Sequence, residues 1–136
     1  MGSKKIILDT NLWISFLISK KLNSIDHLIE NKKITLIFSD ELISEFVEVV
    51  NRPKFENYFS KNDIEKILDY FDYYGKLITV KSDIKICRDK KDNFLLNLSI
   101  DSKADYLITG DNDLLVLEKI ERTKIINFTD FIQQIE

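Results

Sequence analysis

Apolar residues along the chain fall into two kinds of run, short and solid or longer and periodic, and the two kinds alternate. Lys4 to Leu8 (KKIIL) is a short β-branched run, and Asn11 to Ser19 (NLWISFLIS) follows with helical spacing. This predicts a strand and then a helix, with Asp9 at the joint. Ser24 to Lys32 reads as a short amphipathic helix. Ile34 to Phe38 (ITLIF) reads as a buried strand ending at Ser39, a favourable N-cap for a helix from Asp40 to Asn51 that Pro53 stops. Ser60 caps a second long helix whose Ile64, Ile67, Leu68, Phe71 and Tyr74 form one apolar stripe, and Gly75 ends it. Beyond it the pattern predicts a strand at Leu77 to Val80, a helix at Asp92 to Ser102, a strand at Tyr106 to Thr109 and a short helix at Leu114 to Ile120. A last strand at Ile125 and Ile126 precedes a final helix capped by Thr129.

Strands that are apolar throughout and alternate with helices predict an α/β fold, a three-layer α/β/α sandwich around a central parallel sheet. With 44% hydrophobic and 32% charged residues, 3 Gly and 1 Pro, residues 1–136 read as a single domain with a full-sized core and no linker. No internal repeat is visible. No apolar run approaches the roughly 20 residues that span a bilayer, and a single cysteine, Cys87, fits a reducing compartment, so the expected location is cytoplasmic. Cys87 itself is expected as a small buried side chain.

Ligands of parallel sheets collect at the carboxyl ends of the strands, which draws attention to acids placed there. Asp9 ends the first strand, and Asp111 follows Thr109 and Gly110 at the end of another, with Asp113 close behind. A helix N-cap role explains either aspartate alone. Glu45 separates from Glu41 and Glu48 by angle, because it lies about 40° from Val49 at the margin of the apolar arc of its helix. An ordinary boundary glutamate is the competing reading. Asp92 opens a helix that is apolar on nearly every side, where an acid also suits the helix dipole; Asp89 and Asp101 compete with it for a role.

Three or four carboxylates at one rim, with no His or Cys partners, select a hard cation with oxygen ligands, Mg²⁺ or Mn²⁺, over zinc, and the lone His27 reads as a surface or boundary residue. Phosphoryl transfer through an aspartyl phosphate would need a second acid two positions after the strand-end aspartate, where Asn11 stands. Net charge is −3, so binding of a polyanion has to rest on local basic residues. Arg52 and Lys54 follow the Glu45 helix, and Arg88, Lys90 and Lys91 precede Asp92; these are the candidate phosphate contacts, against the alternative of solvated charge. Trp13 has the position of a core residue, though it could stack on a base. Tyr70 and Tyr73 lie off the apolar stripe of their helix and could mark a dimer or partner surface.

The segments IILDTNLWIS, SDELISEFVEVVNRPKF, CRDKKDNFLLNLSIDSKADYLITGDNDLL and IINFTDFI resemble the PIN-domain family in order and spacing along nearly the whole chain. The nearest likeness is to the prokaryotic branch of toxin-antitoxin systems, the VapC-like ribonucleases. The resemblance implies Mg²⁺- or Mn²⁺-dependent cleavage of RNA. It places a catalytic quartet on Asp9, Glu45, Asp92 and Asp111, with Asp113 counted beside Asp9, Asp92 and Asp111 as a metal ligand. Thr10, Asn11 and Thr109 fall on supporting positions. A cognate antitoxin and a homodimer are the partners implied. A PIN-like module that binds RNA or protein without catalysis, and an RNA-processing nuclease that is no toxin, are the alternatives.

Overall fold

The structure is a computed structural model that describes residues 3–19 and 27–135. The first part of the helix expected over Ser24 to Lys32 lies outside the described residues; 27–30 are helical. In order, the elements are β1 (Lys4–Leu8), α1 (Thr10–Ser19), β2 (Ile34–Phe38), α2 (Asp40–Val50), a 3₁₀ turn (Pro53–Phe55), α3 (Lys61–Tyr74) and β3 (Gly75–Leu77). Then come α4 (Lys90–Ser102), β4 (Tyr106–Ile108), α5 (Asn112–Leu115), β5 (Lys119–Ile120), β6 (Thr123–Ile126) and α6 (Phe128–Ile135).

Six strands form one sheet in the order β3-β2-β1-β4-β6-β5, all parallel except the β5–β6 pair at one edge. From β1 the chain steps outward through β2 to β3, then returns across the sheet to β4 on the other side of β1. Right-handed crossovers taken in opposite directions put their helices on opposite faces, which makes the three layers. The reversal falls between β1 and β4, so the loops after these two strands diverge and leave a crevice at their carboxyl ends.

The sequence signals act locally as expected at several points. The Ser39 hydroxyl accepts from the Leu42 N–H at 3.1 Å, and Ser60 and Asp63 form a reciprocal capping box. Phe71 is the buried residue of α3 and ties that helix to the sheet through Trp13, Phe38 and Phe46, with ring centroids 4.8, 4.5 and 5.1 Å away. Trp13 is therefore a core residue, unavailable to a base.

Other expectations are corrected. The strand expected at Leu77 to Val80 begins earlier, at Gly75, because the helix ends and pairing with β2 starts at the same residue. Instead of a helix over Leu114 to Ile120, α5 stops at Leu115; Glu118 and Glu121 take positive φ and fold the chain into the β5–β6 hairpin. The last helix is capped by Asn127, whose side chain accepts from the Asp130 N–H at 2.8 Å, and not by Thr129.

Gly75 is required for space and not for conformation, since its φ is −87°. A Cβ there would lie 2.5 Å from Phe38 Cδ2 and 2.5 Å from the Phe71 carbonyl oxygen. The carbonyl is backbone and cannot move aside. Gly75→Ala is expected to cost about 1–3 kcal/mol, read from urea unfolding followed by the fluorescence of the single tryptophan.

Candidate active site

Asp9 leaves β1 at the switch point and begins α1. Its Oδ1 accepts from the Asn11 N–H at 3.2 Å, and its Oδ2 accepts from the Thr109 hydroxyl at 2.9 Å. The Thr109 hydroxyl oxygen in turn accepts the Asp111 N–H at 3.0 Å. One buried hydroxyl thus fixes the acids that end β1 and follow β4 relative to each other. Asp111 caps α5 by accepting from the Asp113 N–H at 2.9 Å. Both aspartates are helix caps and both stand on one crevice, a cleft of about 370 Å³ lined by Asp9, Asn11, Leu12, Gly110 and Asp111.

Asp92 does not open its helix. The cap is Asp89, which accepts from the Lys91 N–H at 2.9 Å, and Asp92 lies in the first turn, only 5% exposed. A carboxyl so placed would be solvated by nothing but its neighbours. Asp92, Asp111 and Asp113 each bring one carboxylate oxygen within 4.8 Å of the others. Burial, then the nearby Asp111 and a hydrogen bond to it, push Asp92 from an ordinary 3.8 up to about 6. Burial also raises Asp9, against hydrogen bonds from Thr109 and Asn11 that lower it and with Glu45 and Asp111 adding to the rise. The donor set is three hard carboxylate oxygens, which fits Mg²⁺ or Mn²⁺.

Glu45 reaches the same rim from α2. Its Oε2 accepts from the Thr10 hydroxyl at 3.0 Å and its Oε1 meets the Lys91 ammonium at 3.1 Å. Glu41 and Glu48 line, with Glu45, Lys90, Lys91 and Phe94, a groove of about 560 Å³ between α2 and α4. Of the basic candidates, Lys91 and Lys90 are therefore at the site, and Arg88 reaches Asp113 at 3.5 Å. Arg52 and Lys54 are not brought to it. Arg52 pairs with Glu48 at 3.3 Å and lines a separate cavity with Pro53 and Ile64, and Lys54 lies over the Phe55 ring.

The remaining candidates resolve as structural. Asp101 accepts from the Lys81 and Ser82 N–H groups and the Ser82 hydroxyl. Asn97 accepts the Ile84 N–H at 2.8 Å, and Asn93 accepts the Cys87 N–H at 2.7 Å and returns a bond to the Cys87 carbonyl. Asn93, Asn97 and Asp101 stand four residues apart, so one face of α4 holds the extended segment 81–87 antiparallel to itself. Sequence reasoning missed this; the signal was the four-residue step of short polar side chains on an otherwise apolar helix. Cys87 is half-buried and not fully enclosed, and burial together with the surrounding aspartates raises its thiol, which disfavours the thiolate. His27 is exposed, its Nε2 3.1 Å from Asn31 Nδ2. Tyr73 is 80% exposed, and the Tyr70 ring packs tilted against Tyr74 with centroids 4.8 Å apart.

Comparison with known proteins adds the following. A sequence model described as a PIN domain matches residues 5–113. An uncharacterised protein of Methanocaldococcus jannaschii is 34% identical over 126 residues, 90% of this chain and 81% of that protein. Among solved structures, VapBC2 from Rickettsia felis, bound to a DNA fragment from its promoter, superposes with a TM-score of 0.60 at 17% identity, covering 91% of this chain and 98% of that one. PAE2754 from Pyrobaculum aerophilum superposes with a TM-score of 0.58 at 14% identity, covering 98% and 89%. No helix among the described residues is long and apolar enough to cross a membrane.

Proposed function

This chain belongs to the PIN-domain family, and on that premise we propose that it is a metal-dependent endoribonuclease whose catalytic set is Asp9, Glu45, Asp92 and Asp111. The observation that carries the reading is the meeting of Asp92, Asp111 and Asp113 within 4.8 Å, beside an Asp9 locked to Asp111 by Thr109. Asp92, Asp111 and Asp113 would hold a divalent cation, Mg²⁺ or Mn²⁺, with Asp9 completing the set. When bound, such an ion activates water and sets charge against the phosphate.

The chain's own residues supply the rest. Thr109 holds the Asp9 rotamer, and Asn11 donates its backbone N–H to the same carboxylate, so the acid is oriented before any ligand arrives. Thr10 does the same for Glu45, which would orient an attacking water at the rim. Arg88 and Lys90 border this rim and would give the RNA backbone its positive contacts, while Lys91 is engaged at Glu45. We further propose that the chain is a toxin that pairs with an antitoxin, and that it works in the cytoplasm as a homodimer with residues 1–136 as one nuclease unit; the family membership and the fold shared with the VapBC2 structure support the toxin reading.

Incubation with mixed RNAs tests this. Cleavage is expected with Mg²⁺ or Mn²⁺, none with EDTA, and a loss of at least about 100-fold in Asp9→Asn and Asp111→Asn. Cleavage that persists in EDTA, or mutants as active as the unmodified chain, would overturn the assignment.

A further inference from the structure

Two of the acids at the rim meet a cation within the fold, and they do so unequally. Arg88 reaches Asp113 at 3.5 Å with a side chain 91% exposed, a contact that solvent weakens. Lys91, its side chain 57% exposed, meets Glu45 at 3.1 Å, where the glutamate side chain is 23% exposed, so this pair is the better shielded of the two. The other oxygen of Glu45 is taken by the Thr10 hydroxyl, so both are engaged. Glu45 is also absent from the group of carboxylates whose oxygens converge, which consists of Asp92, Asp111 and Asp113.

Lys91 and Asp92 are neighbours in the first turn of α4, with side chains about 100° apart around the helix. One turn therefore delivers a ligand towards Asp111 and an ammonium to Glu45. An ammonium is a compact point charge, suited to a single carboxylate oxygen.

We propose that this site takes a single divalent cation, on Asp92, Asp111 and Asp113 with Asp9 completing the set, and that Lys91 is a positioning residue that supplies the second positive charge as an ammonium at Glu45. The inference rests on the nuclease reading for its purpose, but it concerns how many ions bind. With Asp9, Asp92, Asp111 and Asp113 committed to the first ion, a second would have to draw on Glu45, whose oxygens Thr10 and Lys91 already engage.

The test is Mn²⁺ titration of the full chain by calorimetry, with the bound ion counted by electron paramagnetic resonance. The unmodified chain is expected to bind one Mn²⁺. Lys91→Met is expected to bind two, the second more weakly, and Lys91→Arg to return to one. Retained tryptophan fluorescence and melting check the fold, and Lys91→Gln carries the same expectation should Lys91→Met fail to fold. Two ions in the unmodified chain, or one in both uncharged variants, would overturn the proposal. A chain that follows this binding pattern but leaves RNA intact sinks the nuclease reading and supports the single-ion one.

Discussion

Asp92→Asn is expected to stabilise the metal-free protein and to abolish its cleavage of RNA. Asp92 is buried, its carboxyl is raised to about 6, and at pH 7 it must be held ionised beside Asp111 at a cost. Asparagine removes that charge and keeps the size. Its amide also donates where the protonated acid donates, towards Asp111. The gain at pH 7 in EDTA should be about 2 kcal/mol, or roughly 5–10 °C in Tm for a chain of this length. The same change removes a cation ligand, so cleavage should fall by at least about 100-fold. Thermal unfolding in EDTA and an RNA cleavage assay read the two effects on one preparation. A variant that melts lower and still cuts would show that Asp92 belongs to the scaffold alone.

The second large effect is in pH. A carboxyl whose folded pKa lies above its unfolded value binds its proton more tightly in the native state, so stability is fully present below the unfolded value. It is lost as pH rises through the folded one. For Asp92 the window runs from 3.8 to about 6, and the whole shift corresponds to about 3 kcal/mol. Asp9, raised in the same direction, adds to it. Asp63, which hydrogen bonds from Ser60 hold below the ordinary range, works the other way as pH falls. In EDTA, urea midpoints should therefore drop mainly between about pH 4 and pH 6 and level off by about pH 7. With Mn²⁺ at about 100 times its Kd the ionised carboxylates gain about 2.7 kcal/mol, and the trend should flatten or reverse. A metal-free protein whose stability rises steadily from about pH 4 to about pH 6 would contradict the strained cluster.

How much of this could be read from the sequence depended on the kind of information each residue carries. Asp9 and Asp111 were legible because an acid directly after an apolar run has one place to go in a parallel sheet. Glu45 was legible as an angle, 40° from the buried arc, although nothing in that angle names Thr10 and Lys91 as its partners. Asp92 was found for an inexact reason, since Asp89 caps the helix and Asp92 faces the cluster from inside the first turn. The hairpin at β5 and β6 was missed because two glutamates, Glu118 and Glu121, adopt a backbone conformation that composition assigns to glycine. Arg52 and Lys54 were drawn in by proximity along the chain, and the helix carries Arg52 back to Glu48 instead.

The three side chains that hold segment 81–87 against α4 also constrain the chain's length. Helical anchors recur every four residues, at 93, 97 and 101, while their extended partners recur at 87, 84 and 81–82. The two periods agree only in this register. Deleting or inserting one residue between Ser82 and Cys87 would turn alternate amides away from their acceptors, so this stretch should accept substitutions on its outer side far more readily than any change in length.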